Sequence, residues 1–271
     1  MGAPLEGCLV LDLSRVLTGP FCSITLGDMG ADVTKVEMPG HGDDTREWGP
    51  PFVGGETYYS LSVNRNKKSI TLNLKHPKGK EILKRLVARA DVLLENFRPG
   101  TMERLGLGYD HLKAINRRLV YCTISGYGST GPMKDRAGHE YISQAEAGLM
   151  GLTGHDGIKE TLVQTVQQAL DSAPAADWVE RLSAQGVPAD LIRSLEDVFR
   201  DEQVLARNMV WSISHKTAGD VKAVGLPVHF GSGECSARLP PPLLGEHASE
   251  VLASLGYGEH VIERFRQEEV V

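Results

Sequence analysis

The chain has 271 residues, a formal charge of −6 and only 6% aromatic residues. That length can bury one large core or two small ones. The acidic balance and sparse aromatics exclude a nucleic-acid binder built on a basic face or a stacking platform, so any anion site must be local.

Cys8, Cys22, Cys122 and Cys235 lack C-x-x-C spacing, which argues against zinc or dithiol chemistry and for buried thiols in a reducing compartment. No run reaches the roughly 20 apolar residues of a membrane span. The N-terminus runs almost directly into an apolar strand, with no stretch that reads as a signal or transit peptide. Glu6 stands where a myristoylation signal needs Ser or Thr. The expectation is a soluble intracellular protein with no membrane or nucleic-acid partner.

Cys8–Leu13 is an apolar run of the kind found in buried parallel strands. Phe21–Gly30 reads as a glycine-terminated helix and Asp32–Glu37 as an alternating strand, completing a βαβ unit. Residues 40–55 form a polar loop rich in Gly and Pro, long enough to predict a functional lid. Ser69–Leu74 is strand-like, and Lys78–Ala90 is a helix with Ile82, Leu83, Leu86 and Val87 on one stripe. Strand Val92–Glu95, helix Leu112–Asn116 and strand Leu119–Ser125 continue the alternation.

This order predicts an α/β fold with a Rossmann-like parallel sheet, helices on both faces and the remnant of a smaller second domain. Beyond Gly154, helices are expected at Glu160–Leu170, Ala175–Gln185 and Leu195–Ala206. A hairpin pairs Met209–Ser214 with Val221–Val224, and short helices at Glu250–Leu255 and Val261–Gln267 close the chain. The division is 1–154, 155–186 and 187–271.

The most informative stretch is Asp91–Gly106, where an apolar strand stops at Asn96-Phe97, turns through Pro99-Gly100 and restarts as a helix. Free backbone N–H groups and a helix dipole favour anions at such turns. Arg98, Arg104 and Lys75 could grip phosphates there by charge-assisted hydrogen bonds; three solvated surface cations are the alternative. Asn64–Lys68 reads as a solvated turn. Asp43, Asp44 and Glu47 read as a hydrated acidic loop with a local ion pair to Arg46, not as a metal site. Residues 126–131 lack the Gly-Lys-Ser/Thr of a phosphate loop, and no G-x-G-x-x-G occurs. His139-Glu140 is a candidate acid–base pair because imidazole titrates near neutrality, with a histidine at a helix start as the bland reading. His247 reads as structural.

The segments LDLSRVLTGPFC, LGDMGADVTKVE, GDDTREWGPPF, NRNKKSITLNLK, ENFRPGTMERLGLGY, ISGYGSTGP and RAGHEY occur in this order, followed later by RLPPPLLGEH. With them the chain resembles the family III CoA-transferases. The resemblance implies CoA or acyl-CoA as substrate, no prosthetic group or metal, a carboxylic acid as second substrate, an interlocked homodimer and, by the nearest wording, a mitochondrial setting.

It places CoA contacts at Leu17 and Thr18, at Leu72, Asn73, Leu74 and Lys75, at Asn96, Phe97 and Arg98, at Arg104, and at Arg136, Ala137, Gly138 and His139. Met38 departs from an arginine common at that position. His139 replaces the usual transferase tyrosine and matches the histidine of the family's 2-methylacyl-CoA racemases. The family's nucleophilic aspartate attacks the thioester to form a mixed anhydride, and its segment has no counterpart here: residues 152–157 run almost directly into the later helices. Asp156 is a poor substitute, leaving His139 and Glu140 as the catalytic candidates. An inactive CoA-binding form and a racemase-like enzyme are the alternatives to transfer.

Overall fold

The computed structural model describes residues 2–128, 130–134, 136, 157–230, 233 and 235–271, with side chains of the helix beginning at 157 described from 163 onward. Two compact units emerge, Met1–Ala137 with Asn208–Val271, and Gly138–Arg207.

The first unit is built on five parallel strands: β1 (Leu9–Asp12), β2 (Asp32–Glu37), β5 (Lys67–Thr71), β6 (Val92–Glu95) and β7 (Val120–Thr123). Their order is β5-β2-β1-β6-β7. The chain therefore starts in the middle, winds outward through β2 and β5, then returns to the far side of β1. Side chains alternate between faces, and both faces are covered. Val10 and Val33 pack with Ala31 and Leu26 on one face, beside α1 (Thr18–Asp28). Leu11, Val36, Ile70 and Leu93 belong to the larger core on the other.

That larger core is closed by α3 (Pro77–Val87) and α5 (Tyr109–Ile115), and by two helices from the end of the chain, Ala248–Ser254 and Glu259–Gln267. The predicted stripe of α3 is all buried, with Ile82, Leu83 and Val87 at 0% exposure. Each such side chain contributes roughly 1.5–3 kcal/mol by leaving water.

The loop expected to be a lid is pinned instead. It carries a short 3-10 turn at Asp44–Glu47, the two-residue ribbon β3 (Phe52–Val53) with β4 (Glu56–Thr57), and then α2 (Tyr58–Val63). Asp43 is buried against Lys35 at 2.9 Å, and Arg46 is paired with Glu37. A hydrated acidic loop would leave those two charges exposed; burying them requires partners, and β2 supplies both.

Asn64–Lys67 is likewise buried rather than solvated. Arg65 donates to both carboxylate oxygens of Asp28, Asn66 accepts from the backbone of Arg238 and Leu239, and Lys67 donates to Asp12. The hairpin forms as β8 (Val210–His215) and β9 (Gly219–Val224). The four cysteines are half-buried and free.

In the second unit lie α6 (Gly157–Leu170), α7 (Ala175–Ala184), α8 (Leu195–Val198) and α9 (Glu202–Ala206). The single helix expected at Leu195–Ala206 is broken in two because Asp201 caps a new start, accepting from the N–H groups of Gln203 and Val204. The final two helices of the first unit, named above, are α10 and α11.

Candidate functional site

The strand order reverses between β1 and β6, and in open parallel sheets ligands bind beyond the carboxyl ends of strands at such a point. The structure ties this place together with one side chain. Asn96, just after β6, accepts from the Arg15 N–H and donates to the Arg15 carbonyl, both at 2.8 Å. Val16 is forced to φ 67°, unusual for a β-branched residue, and its N–H donates to Asp43. Asn96 thus spends its amide on the main chain and positions Arg15, whose guanidinium lies 5.3 Å from the Phe97 ring centre.

A cleft of about 980 Å³ opens over the ends of β1, β2, β5 and β6. Arg15, Val36–Gly40, Leu72–Lys75, and Phe97 with Arg98 form its successive walls, and Thr101, Arg104 and Leu105 come from the short α4 (Thr101–Arg104) and its end. Arg266, Glu269 and Val271 complete the lining. Among the described residues, Arg15, Lys75, Arg98 and Arg104 make no ion pair, and Arg104 donates only to the Thr101 hydroxyl at 2.9 Å. Unpaired cations around one concavity raise the local concentration of anions even on an acidic protein.

The turn does not work as an anion-binding helix start. The Phe97 N–H is already donated to Glu95 at 2.8 Å, Pro99 has none, and α4 has four residues, too few for an appreciable dipole. The positive charge of the cleft comes from its side chains, not from the backbone of the turn.

The same strands β1, β2 and β5 also carry a sealed ionic layer. Asp12, Lys35 and Lys67 are all 0% exposed. Lys67 donates to Asp12 at 3.1 Å, Lys35 to Asp43 and to the Ser14 carbonyl at 2.9 Å, and the hydroxyls of Ser14 and Ser23 to Asp12. Burial alone would raise the Asp12 carboxyl, but the two ammoniums and two hydroxyls outweigh it and hold it well below the usual range. Burial pushes Lys67 down to about 8 despite Asp12.

Of the positions named from sequence, Leu72, Asn73, Leu74, Lys75, Phe97, Arg98 and Arg104 come together in this one cleft. Asn96 stands beside it. Leu17 and Thr18 occupy the exposed start of α1, outside its lining. Exposed Arg136 also lies outside, its guanidinium 5.4 Å from the Tyr127 ring centre. Ala137, Gly138, His139, Glu140 and Asp156 lie outside the described residues. Met38 lines the cleft, 43% exposed. Sequence reasoning missed Arg15, hidden inside a quoted motif, and Arg266 and Glu269, which only the return of α11 to Asn73 brings near. His247 is structural: its Nδ1 accepts from the Ser69 N–H. No cluster of three metal-ligating side chains occurs among the described residues, and no described helix is long and apolar enough to cross a membrane.

The sequence profile of CoA-transferase family III matches residues 5–166 and 158–248. A mouse relative, succinyl-CoA:glutarate CoA-transferase, is 32% identical over 386 aligned residues, covering 96% of this chain and 88% of its own length. The succinate–glutarate CoA-transferase of Agrobacterium fabrum is 49% identical over 157 residues, 56% of this chain and 39% of its own. A CaiB/BaiF family protein from Brucella suis superposes with a TM-score of 0.77 at 27% identity, over 94% of this chain and all of its own. With the family profile spanning most of its length and the parallel sheet shared, the chain belongs to CoA-transferase family III.

Proposed function

We propose that this chain binds acyl-CoA in the cationic cleft and moves CoA from succinyl-CoA, or a related acyl-CoA, to a carboxylic acid, releasing the first acyl group as its acid. The observation that carries this reading is the cleft itself, lined by Arg15, Lys75, Arg98 and Arg104, which make no ion pair among the described residues. A ligand with three phosphates and a long pantetheine arm suits a large, open, multiply cationic site. The mouse and Agrobacterium relatives carry succinyl and glutaryl substrates in their names, and glutarate is the first acceptor to try.

Arg104→Ala tests the binding step. Loss of one charge-assisted contact should weaken CoA binding about 10- to 100-fold in calorimetric titration. An unchanged affinity would remove the CoA assignment from this cleft.

A second reading is a chain that holds CoA without transferring it. The aligned length of 386 residues to the mouse relative exceeds the 271 of the chain, so more than a hundred aligned positions have no residue here. The two profile matches overlap at residues 158–166, and we place the family's nucleophilic aspartate among the positions that have no residue here. Hydroxylamine trapping during incubation with succinyl-CoA and glutarate separates the readings. A trapped Asp or Glu with glutaryl-CoA formed establishes transfer, with Glu140 the first residue to inspect. CoA binding without trapping or product establishes the second. Deuterium exchange at the α-carbon of a 2-methylacyl-CoA, motivated by His139, would instead establish a racemase.

The homodimer, the mitochondrial setting and the three-part division 1–154, 155–186 and 187–271 belong to this proposal. Sedimentation of the purified chain tests the dimer.

A further inference from the structure

Glu37 ends β2 and forms part of the cleft wall while remaining 5% exposed. Burial would raise its carboxyl, but Arg46 and then Lys35 hold it below the ordinary range, so it is charged at neutral pH. A charged carboxylate just behind the wall of a polyanion site opposes the ligand, and the low-dielectric interior screens it poorly.

Arg46 answers that charge directly. Its Nε donates to Glu37 Oε1 at 2.8 Å and its Nη2 to Oε2 at 2.9 Å, the bidentate geometry a planar guanidinium favours. Ser69 donates to Oε2 at 2.6 Å and the Asp43 N–H to Oε1 at 3.1 Å. Arg46 also donates to the Pro242 carbonyl at 3.2 Å and reaches Glu56 at 3.4 Å. One buried guanidinium therefore joins the wall strand, the pinned loop, the β3–β4 ribbon and the segment before α10.

We propose that Arg46 is a positioning residue of the anion cleft, neutralising Glu37 and holding its carboxylate out of the site so that the Val36–Gly40 wall accepts a phosphate-bearing group. The inference rests on reading the cleft as the CoA site. It makes the effect of Glu37 depend on sign: removing the negative charge while keeping the shape of the side chain should not harm binding, whereas removing the guanidinium that answers it should.

Calorimetric titration with CoA, and separately with inorganic pyrophosphate, of wild type, Glu37→Gln, Arg46→Gln and the double variant tests this. Glu37→Gln should bind both probes at least as tightly as wild type, because the opposing charge is gone while the amide oxygen can still accept from Arg46 Nη2 and the Ser69 hydroxyl, leaving Arg46 Nε and the Asp43 N–H without their acceptor. Arg46→Gln should bind about 10-fold or more weakly, and the double variant should return to within about 3-fold of wild type, as expected for directly coupled neighbours. A Glu37→Gln variant that loses affinity, or a double variant as weak as Arg46→Gln, would make the clamp only structural and overturn the proposal. Should Arg46→Gln fail to fold, Glu37→Gln and the double variant decide by themselves. A wild type that binds neither probe overturns the anion-cleft reading, and this inference with it.

Discussion

The two compact units solve different problems with the same kinds of residue. In Met1–Ala137 with Asn208–Val271, aliphatic side chains from strands and helices interlock in a large core, and even lysines are driven to 0% exposure once carboxylates face them. Among the described residues of Gly138–Arg207 none is buried. Ile192 and Leu195 stand in solvent, and local capping, such as the Ser194–Asp197 capping box, shapes the short helices. Helices held by caps and propensity alone are marginal in water, because most helix stability in proteins comes from an apolar face finding a partner. The difference teaches where this chain's folding energy lies, and it is also where the cleft lies.

Breaking the buried ionic layer should cost most. Asp12→Ala strands the buried Lys67 without its carboxylate, while Lys35 keeps Asp43, and should lower the stability of the first unit by about 3–5 kcal/mol in urea unfolding. A loss under about 1 kcal/mol would mean that water relieves the layer. Ile82→Ala removes a fully buried stripe residue and should cost about 2–5 kcal/mol. Ile192→Ala in the other unit should leave the unfolding midpoint unchanged, and a comparable loss there would erase the contrast between the units.

Acid should sharpen the contrast less strongly. Asp12, Asp43 and Glu37 are held below their ordinary range, each against an opposing burial effect, by lysine or arginine partners. The stability they contribute is present above their unfolded values near about 4 and is lost as pH falls through the folded ones. Burial raises Asp28 and Glu95 instead, which offsets part of the loss. Urea midpoints should therefore decline below about pH 4, and Asp43→Asn should flatten the decline. The smallest effect concerns local opening: brief proteolysis should cut within 157–207 before the first unit, since that chain buries so little.

Much of the framework is legible in the sequence because parallel strands covered on both faces read as apolar runs. Asp32–Glu37 and Val92–Glu95 match their predicted bounds, and the α3 stripe is buried as its spacing implies. What misleads is charge. Lys67 looks solvated beside Asn64 and Lys68, and its burial makes sense only because Asp12 lies 55 positions earlier in the chain. Arg46 and Asp43 look like a loop's own ion pair, yet their strong partners are Glu37 and Lys35 on β2. The turn after β6 does border the cleft, but not as a free helix start, since Glu95 already occupies the Phe97 N–H.

The sequence by itself determined the alternation of strands and helices, the family, and most cations of the cleft, because periodicity, turn chemistry and motif order are local properties of the chain. Only the tertiary structure decided which charges are buried in pairs, that Asn96 locks Arg15 across the switch point, and that Arg266 and Glu269 join the site from the far end. Those outcomes depend on contacts between distant segments, where the cost of burying a charge selects the one geometry that supplies its partner.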